Sequence, residues 1–163
     1  MPAPCFAPVS FAGQVGHASG DKNEPVALPD PVMTALELDE FLSKAFFNQR
    51  AYRVNEVTDR GVVLKMPIGP EHERPGGSVS GPTMMGLADA AAWLATLSRI
   101  GPVALAVTSQ LTISFLRKPS LTHDLYAEAD LLKLGKRLSV SEVRVISNDD
   151  LVAHATVTYS IPA

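Results

Sequence analysis

Apolar residues recur along this chain with two different periods, and the change of period predicts helices and strands. Between Thr34 and Phe47 they recur at helical spacing, which predicts an amphipathic helix. The segment Thr34-Ala-Leu-Glu37 matches a capping box at its start. Its expected apolar face comprises Leu38, Phe41, Leu42, Ala45 and Phe46.

Period-two alternation predicts short strands over 52–57 and 61–68, joined by a tight turn around Asp59-Arg60-Gly61, whose glycine permits a positive φ. Four more strands are expected, over 103–115, 123–132, 138–146 and 151–161, and sequential antiparallel pairing is the simplest arrangement. In the first of these four, Val107 and Leu111 are predicted to face the core and Thr108 to face away from it.

A longer helix is predicted to begin at Ser80 or Gly81, with Pro82 in its first turn, and to end at Gly101-Pro102. It is apolar on nearly all sides, so it must be enclosed, and the strands are the only material available to enclose it. The sequence therefore predicts an α+β protein in which a curved antiparallel sheet wraps one long helix, which is the hotdog arrangement.

Length and composition fit one domain. The chain has 163 residues, 46% hydrophobic and 19% charged, and a formal charge of −3, which excludes a general attraction to nucleic acid. Residues 1–32 are expected to be a loose leader and residues 33–163 the domain. Cys5 is the only cysteine and no secretory signal or membrane span is expected, so a cytoplasmic location fits.

Asp89 is the main candidate for chemistry. It is the only charged side chain between Arg74 and Arg99, in the middle of the apolar helix. Burying a carboxylate is costly unless neighbouring groups compensate. No basic residue lies three or four positions away, so a partner must come from another element. The alternative is a structural aspartate that caps a turn or pairs with an arginine.

The stretch from Arg74 to Asp89, with the later segment 106–119, resembles the PaaI-like (phenylacetate degradation) hotdog thioesterases over roughly residues 48–161. The resemblance implies that the Gly81 amide polarises a thioester carbonyl and that Asp89 is the nucleophile or general base. Three positions depart from the family pattern: Arg74 replaces an asparagine, Ser80 a histidine and Pro82 a glycine.

Helix geometry then predicts a dimer. Gly81 and Asp89 are eight residues apart, or roughly 12 Å along a helix that rises about 1.5 Å per residue. One carbonyl cannot contact both groups, because catalytic contacts are about 3 Å long. A second copy must therefore bring its Asp89 to the first copy's Gly81, so we expect a homodimer or a dimer of dimers.

Secondary candidates have structural alternatives. Ser80 either hydrogen-bonds the substrate or caps the helix. Arg74 either binds a substrate anion or pairs with Asp89 of the other subunit. Met85 and Trp93 either line an acyl pocket or belong to the core. Basic residues at strand ends are candidates for the phosphates of coenzyme A: Arg117, Lys118, Lys133, Lys136 and Arg137.

The preferred hypothesis is an acyl-CoA thioesterase without a cofactor other than the coenzyme A of its substrate. The histidines lack metal-ligand spacing, so no metal site is expected. One alternative is a hydratase or dehydratase, which Ser80 disfavours because that chemistry usually needs a histidine there. The other is a non-catalytic acyl-CoA binding or regulatory protein, which the three departures keep open.

Overall fold

The computed structural model describes residues 27–45 and 51–163, which contain two α-helices and eight strands. The helices are α1 (Ala35–Ala45) and α2 (Gly81–Ile100). The strands are β1 (Arg53–Val57), β2 (Gly61–Met66), β3 (Glu73–Arg74), β4 (Ser78–Val79), β5 (Val107–Phe115), β6 (Leu125–Leu134), β7 (Leu138–Ser147) and β8 (Asp150–Ser160).

The capping box predicted for α1 is confirmed. The Thr34 amide donates to Glu37 Oε2 at 2.8 Å, and the Glu37 amide donates to Thr34 Oγ1 at 3.3 Å. Leu38 and Leu42 are buried on the predicted face. Phe46 and Phe47, with which the prediction extended the helix, lie outside the described residues.

Six strands form one antiparallel sheet in the order β1-β2-β6-β7-β8-β5. The predicted sequential pairing holds for β1 with β2 and from β6 to β8, but it is wrong for β5, which pairs with β8 instead of β6. The reason is the path of α2. This helix carries the chain from β2 across the sheet, so β5 enters on the far side and three consecutive antiparallel strands fill the gap.

The helix α2 is enclosed as predicted. Its middle and last turns are buried against the concave face, with Leu87, Leu94 and Leu97 fully inaccessible. Small side chains on the facing strands, among them Ala127 and Ala155, are buried as well and let the helix approach the sheet. The Gly101 amide ends the helix by donating to the Leu97 carbonyl at 2.9 Å, and Gly101 has a φ of 87°. The wrapped helix confirms the predicted hotdog fold.

Gly61 is required for a different reason from the one predicted. Positive φ values among the described glycines occur at Gly76, Gly77 and Gly101, and Gly61 is not among them. Instead, β2 approaches β6 so closely at this point that a Cβ on Gly61 would collide with the carbonyl oxygen of Ala129. The position needs glycine for space.

The segment before α2, predicted as a loop over 69–79, contains a short 3-10 turn (Pro70–His72) and the small hairpin of β3 and β4. The left-handed Gly76 and Gly77 form its turn, with φ values of 107° and 73°. The hairpin delivers the chain to the start of α2.

Residues 27–32, which the sequence assigns to the leader, contact the end of α2 in the described structure. The Val32 amide donates to the Ser98 carbonyl at 2.7 Å, and Arg99 Nη1 donates to the Pro29 carbonyl at 2.8 Å. Among the described residues, no helix is long and apolar enough to cross a membrane.

Candidate active site

The first turn of α2 holds the predicted amide donor. Ser80 is the N-cap: its Oγ accepts a hydrogen bond from the Thr83 amide at 3.3 Å and lies 2.7 Å from Thr83 Oγ1. Gly81 and Pro82 follow as the first helical residues, so the Gly81 amide has no acceptor within the helix. The capping role considered for Ser80 is therefore observed.

Asp89 lies two turns further along α2 and is held by two hydroxyl groups. Thr108 Oγ1 donates to Asp89 Oδ1 at 2.7 Å, and the Tyr159 hydroxyl donates to the same oxygen at 2.9 Å. The Tyr159 hydroxyl also lies 3.1 Å from the Asp89 backbone carbonyl. The predicted partner from another element is therefore a pair of neutral donors on β5 and β8.

Asp89 opens into a cavity of about 590 Å³ between α2, the end of α1 and the starts of β1 and β5. No other charged side chain lines it within the described residues. Its wall combines small apolar residues with three aromatic ones: Ala45, Tyr52, Gly86, Asp89, Ala90, Trp93, Ala104, Ala106, Val107, Thr108 and Tyr159. An apolar chamber beside one carboxylate suits an acyl group next to a reacting carbonyl.

Thr108 faces the helix because β5 contains a bulge. The register of β5 against β8 shifts between Thr108 and Gln110, so the side-chain alternation is interrupted. Thr108 pairs with Tyr159 and Leu111 with Val157, and both β8 residues are buried on the concave face. The predictions that Thr108 faces away from the core and that Val107 faces it are therefore both wrong, and Val107 is exposed.

A second, smaller cavity of about 300 Å³ surrounds the start of α2. It contains Gly81 and three of the predicted basic residues, Arg74, Arg117 and Lys118. The Phe115 ring packs over Gly81 so closely that a Cβ there would lie 3.3 Å from Phe115 Cζ. Within one protomer, Gly81 and Asp89 thus belong to different cavities, one near each end of β5.

Of the other predicted site residues on α2, one lines the Asp89 cavity and two line neither cavity. Trp93 belongs to the buried core, packs on Phe41 with ring centroids 5.6 Å apart and also lines the Asp89 cavity. Met85 is 41% exposed, and it lines neither of these two cavities. Pro82 is exposed and is absent from both walls as well.

The predicted basic residues do not form one cluster. Arg117 and Lys118 follow the end of β5, and Arg117 pairs with Asp150 at 3.3 Å. Lys136 and Arg137 precede β7, whose first residue is aligned through β8 with the first residue of β5. The two pairs therefore lie at opposite ends of the sheet within a protomer.

Two tyrosines near Asp89 are held in the neutral form. Burial raises the pKa of the Tyr159 phenol, and the Asp89 carboxylate adds to this effect, although the hydrogen bond with Thr108 opposes it. Burial likewise raises the pKa of Tyr52, and the Asp89 charge contributes. Both phenols keep their protons as hydrogen-bond donors at neutral pH.

Sequence reasoning missed Thr108, Tyr52 and Tyr159 as site residues. Tyr159 has the signature of a core aromatic in an alternating strand, and nothing in the local pattern distinguishes it. Thr108 was assigned to the wrong face. Tyr52 was placed only at the start of a strand. The sequence offered one usable signal: the polar residue Thr108 lies on a strand that was predicted to cover the helix carrying Asp89.

No group of three or more potential metal ligands exists among the described residues. His154 instead contacts Glu142, with Nε2 and Oε1 2.7 Å apart.

The sheet wrapped around one long helix, with an acidic residue near the middle of the helix and the open Gly81 amide at its start, defines a hotdog protein. A family model of the thioesterase superfamily matches residues 76–158, and the chain belongs to that family. It is a thioesterase, an enzyme that hydrolyses acyl thioesters. A comparison with curated proteins finds no match.

Solved structures agree with this assignment. A candidate thioesterase from Silicibacter is 35% identical, with a TM-score of 0.76 over 82% of this chain and 95% of that chain. A mutant of the phenylacetic acid degradation protein PaaI from Thermus thermophilus is 26% identical, with a TM-score of 0.64 over 72% and 98% of the two chains. A hypothetical thioesterase from Streptococcus pneumoniae, solved with coenzyme A, shares the fold at 20% identity, with a TM-score of 0.66 over 77% and 97%.

Proposed function

We propose that the enzyme hydrolyses acyl-CoA thioesters at two composite sites of a homodimer. In each site Asp89 of one protomer acts on a carbonyl that the partner's Gly81 amide polarises. The observation that carries the proposal is the separation of these two groups into cavities near opposite ends of the edge strand β5.

The edge strand favours the dimer. β5 lies at the end of the sheet and presents unpaired backbone groups along nine residues. Val107 at its start is 57% exposed and Phe115 at its end is 49% exposed. Antiparallel pairing of β5 with its own copy about a two-fold axis would bury both and satisfy the edge.

This pairing also completes the site. In a two-fold antiparallel pair, the start of one strand lies beside the end of the other. The Asp89 cavity, which borders Val107, then adjoins the partner's Gly81 cavity, which borders the partner's Phe115. The roughly 12 Å that separate Asp89 from Gly81 along one helix cease to matter, because each site takes one group from each protomer.

The chemistry follows from the two groups. The amide at the helix N-terminus stabilises the negative charge that develops on the carbonyl oxygen. Asp89 removes a proton from water while the water oxygen attacks the carbonyl carbon. The tetrahedral intermediate then expels the coenzyme A thiolate, which takes up a proton. Direct attack by Asp89, giving a mixed anhydride that water hydrolyses, is the alternative route.

Coenzyme A suits the basic residues at the ends of β5. Arg74, Arg117 and Lys118 border the Gly81 cavity. The same two-fold pairing would bring Arg117 and Lys118 toward the side on which the partner's Lys136 and Arg137 lie. Phosphate groups would then meet cations from both protomers. Coenzyme A in the Streptococcus pneumoniae structure of the same fold supports this class of substrate.

The test is thiol release from a panel of acyl-CoA esters by the purified protein, with its mass in solution measured by sedimentation. Asp89→Asn is expected to lower kcat by more than a hundredfold while CoA esters still bind. Asp59→Asn, on the exposed turn before β2, is the matched control and should keep full activity. Binding of CoA esters without turnover by the wild type would contradict hydrolysis, and an active monomer would contradict the composite site.

A further inference from the structure

Asp89 has one carboxylate oxygen occupied and one open. Both hydroxyl donors reach Oδ1, and within the described residues no hydrogen bond to Oδ2 is found. The terminal torsion of an aspartate is broad, so a carboxylate without such contacts samples many orientations. Two donors on the same oxygen restrict that torsion and decide which oxygen faces the cavity.

The backbones that carry the two donors are held side by side. Thr108 and Tyr159 are directly paired residues of neighbouring strands, so the sheet fixes the spacing of their Cβ atoms. Tyr159 is only 4% exposed, and its ring is packed in the core. A phenylalanine would fill the same space without the cost of burying a hydroxyl, and the hydroxyl offsets that cost by its hydrogen bonds to Asp89.

We propose that Tyr159 is a positioning residue that, together with Thr108, holds the Asp89 carboxylate by Oδ1 and leaves Oδ2 as the oxygen that acts in hydrolysis. This inference rests on the proposed function. The phenol has a single proton, and its bond to the carboxylate is the shorter and charge-assisted one. The Asp89 backbone carbonyl is the secondary acceptor.

The charges around Asp89 fit this arrangement. The titratable groups that face it are the phenols of Tyr52 and Tyr159, and no cation lines its cavity within the described residues. Neutral donors can orient a carboxylate without forming an ion pair that would have to be broken before reaction. The oriented oxygen stays available to water or to the carbonyl.

The kinetic test removes one hydroxyl at a time. Tyr159→Phe is expected to lower kcat by about 10- to 100-fold, because small misplacements of a reacting group cost up to about that factor. KM should change by less than about threefold, since the ring that lines the cavity remains. Thr108→Val should also lower kcat, and Thr108→Ser should restore it. Tyr126→Phe, on the convex face, is the control for losing a phenol and should have no effect.

A second measurement does not depend on turnover. The hydroxyl proton between Tyr159 and Asp89 should give a slowly exchanging, downfield proton NMR resonance that disappears in Tyr159→Phe and in Asp89→Asn. Absence of this resonance from the wild type overturns the contact. Wild-type kcat in Tyr159→Phe, with or without a lower Tm, overturns the positioning role alone. A wild type that hydrolyses none of the esters overturns the proposed function, and the positioning role with it.

Discussion

Ser80 offers a sharp distinction between a structural and a chemical role. Its Oγ accepts the Thr83 amide at 3.3 Å and lies 2.7 Å from the Thr83 hydroxyl, so it caps α2 at the turn that carries Gly81. Replacing a serine N-cap by alanine costs about 1 kcal/mol. For a chain of this size that loss corresponds to a decrease in Tm of about 2–4 °C. We therefore expect Ser80→Ala to lose stability in this range and to lower kcat by less than about fivefold.

Thermal and urea unfolding at a fixed protein concentration, followed by steady-state kinetics on the same samples, provide the assay. Ser80→Asn keeps a good capping acceptor and should retain the wild-type Tm. If Ser80→Ala keeps the wild-type Tm but loses activity a hundredfold, then Ser80 acts on the substrate and the capping interpretation is refuted.

Three further predictions concern packing, specificity and ionisation. Gly61→Ala should abolish soluble expression or lower the Tm by more than about 10 °C, since the new Cβ meets the Ala129 backbone, and circular dichroism would detect this. Ala90→Leu should fill part of the Asp89 cavity. In the thiol assay it should raise KM for bulky acyl-CoA esters but not for acetyl-CoA. Asp89→Asn should lower the pKa of Tyr52, because the carboxylate charge disfavours the phenolate, and absorbance of tyrosinate at alkaline pH would measure it.

Local signals predicted the helices well because helix ends depend on nearby residues. The capping box at Thr34 and Glu37 and the stop at Gly101 each involve groups within four positions. The apolar character of α2 then required enclosure by a sheet. The position of β5 at the sheet edge was not predictable in this way, since it depends on where α2 carries the chain.

The residues of the candidate site likewise fall into those that the sequence identified and those that it missed. Asp89 was identifiable because a charge in an apolar helix is unusual. Gly81 was identified by the resemblance to the PaaI-like thioesterases, with which its place at the helix start agrees. Thr108 and Tyr159 were missed since their roles depend on a bulge and on pairing between residues 51 positions apart in sequence (159 − 108). The predicted basic cluster failed for a related reason, because turns that look alike in sequence lie at opposite ends of the sheet.

The shared site can be tested most directly by mixing two inactive proteins. Gly81→Pro removes the amide hydrogen at a position where helices accept proline, and it also adds side-chain atoms. Gly81→Ala, which keeps the amide hydrogen, is the control for the added Cβ near Phe115. When the Gly81→Pro protein is mixed and re-equilibrated with the Asp89→Asn protein, heterodimers with one intact site should form. Random pairing then restores about a quarter of the wild-type activity. A mixture that contains heterodimers yet stays as inactive as its parents would contradict the account.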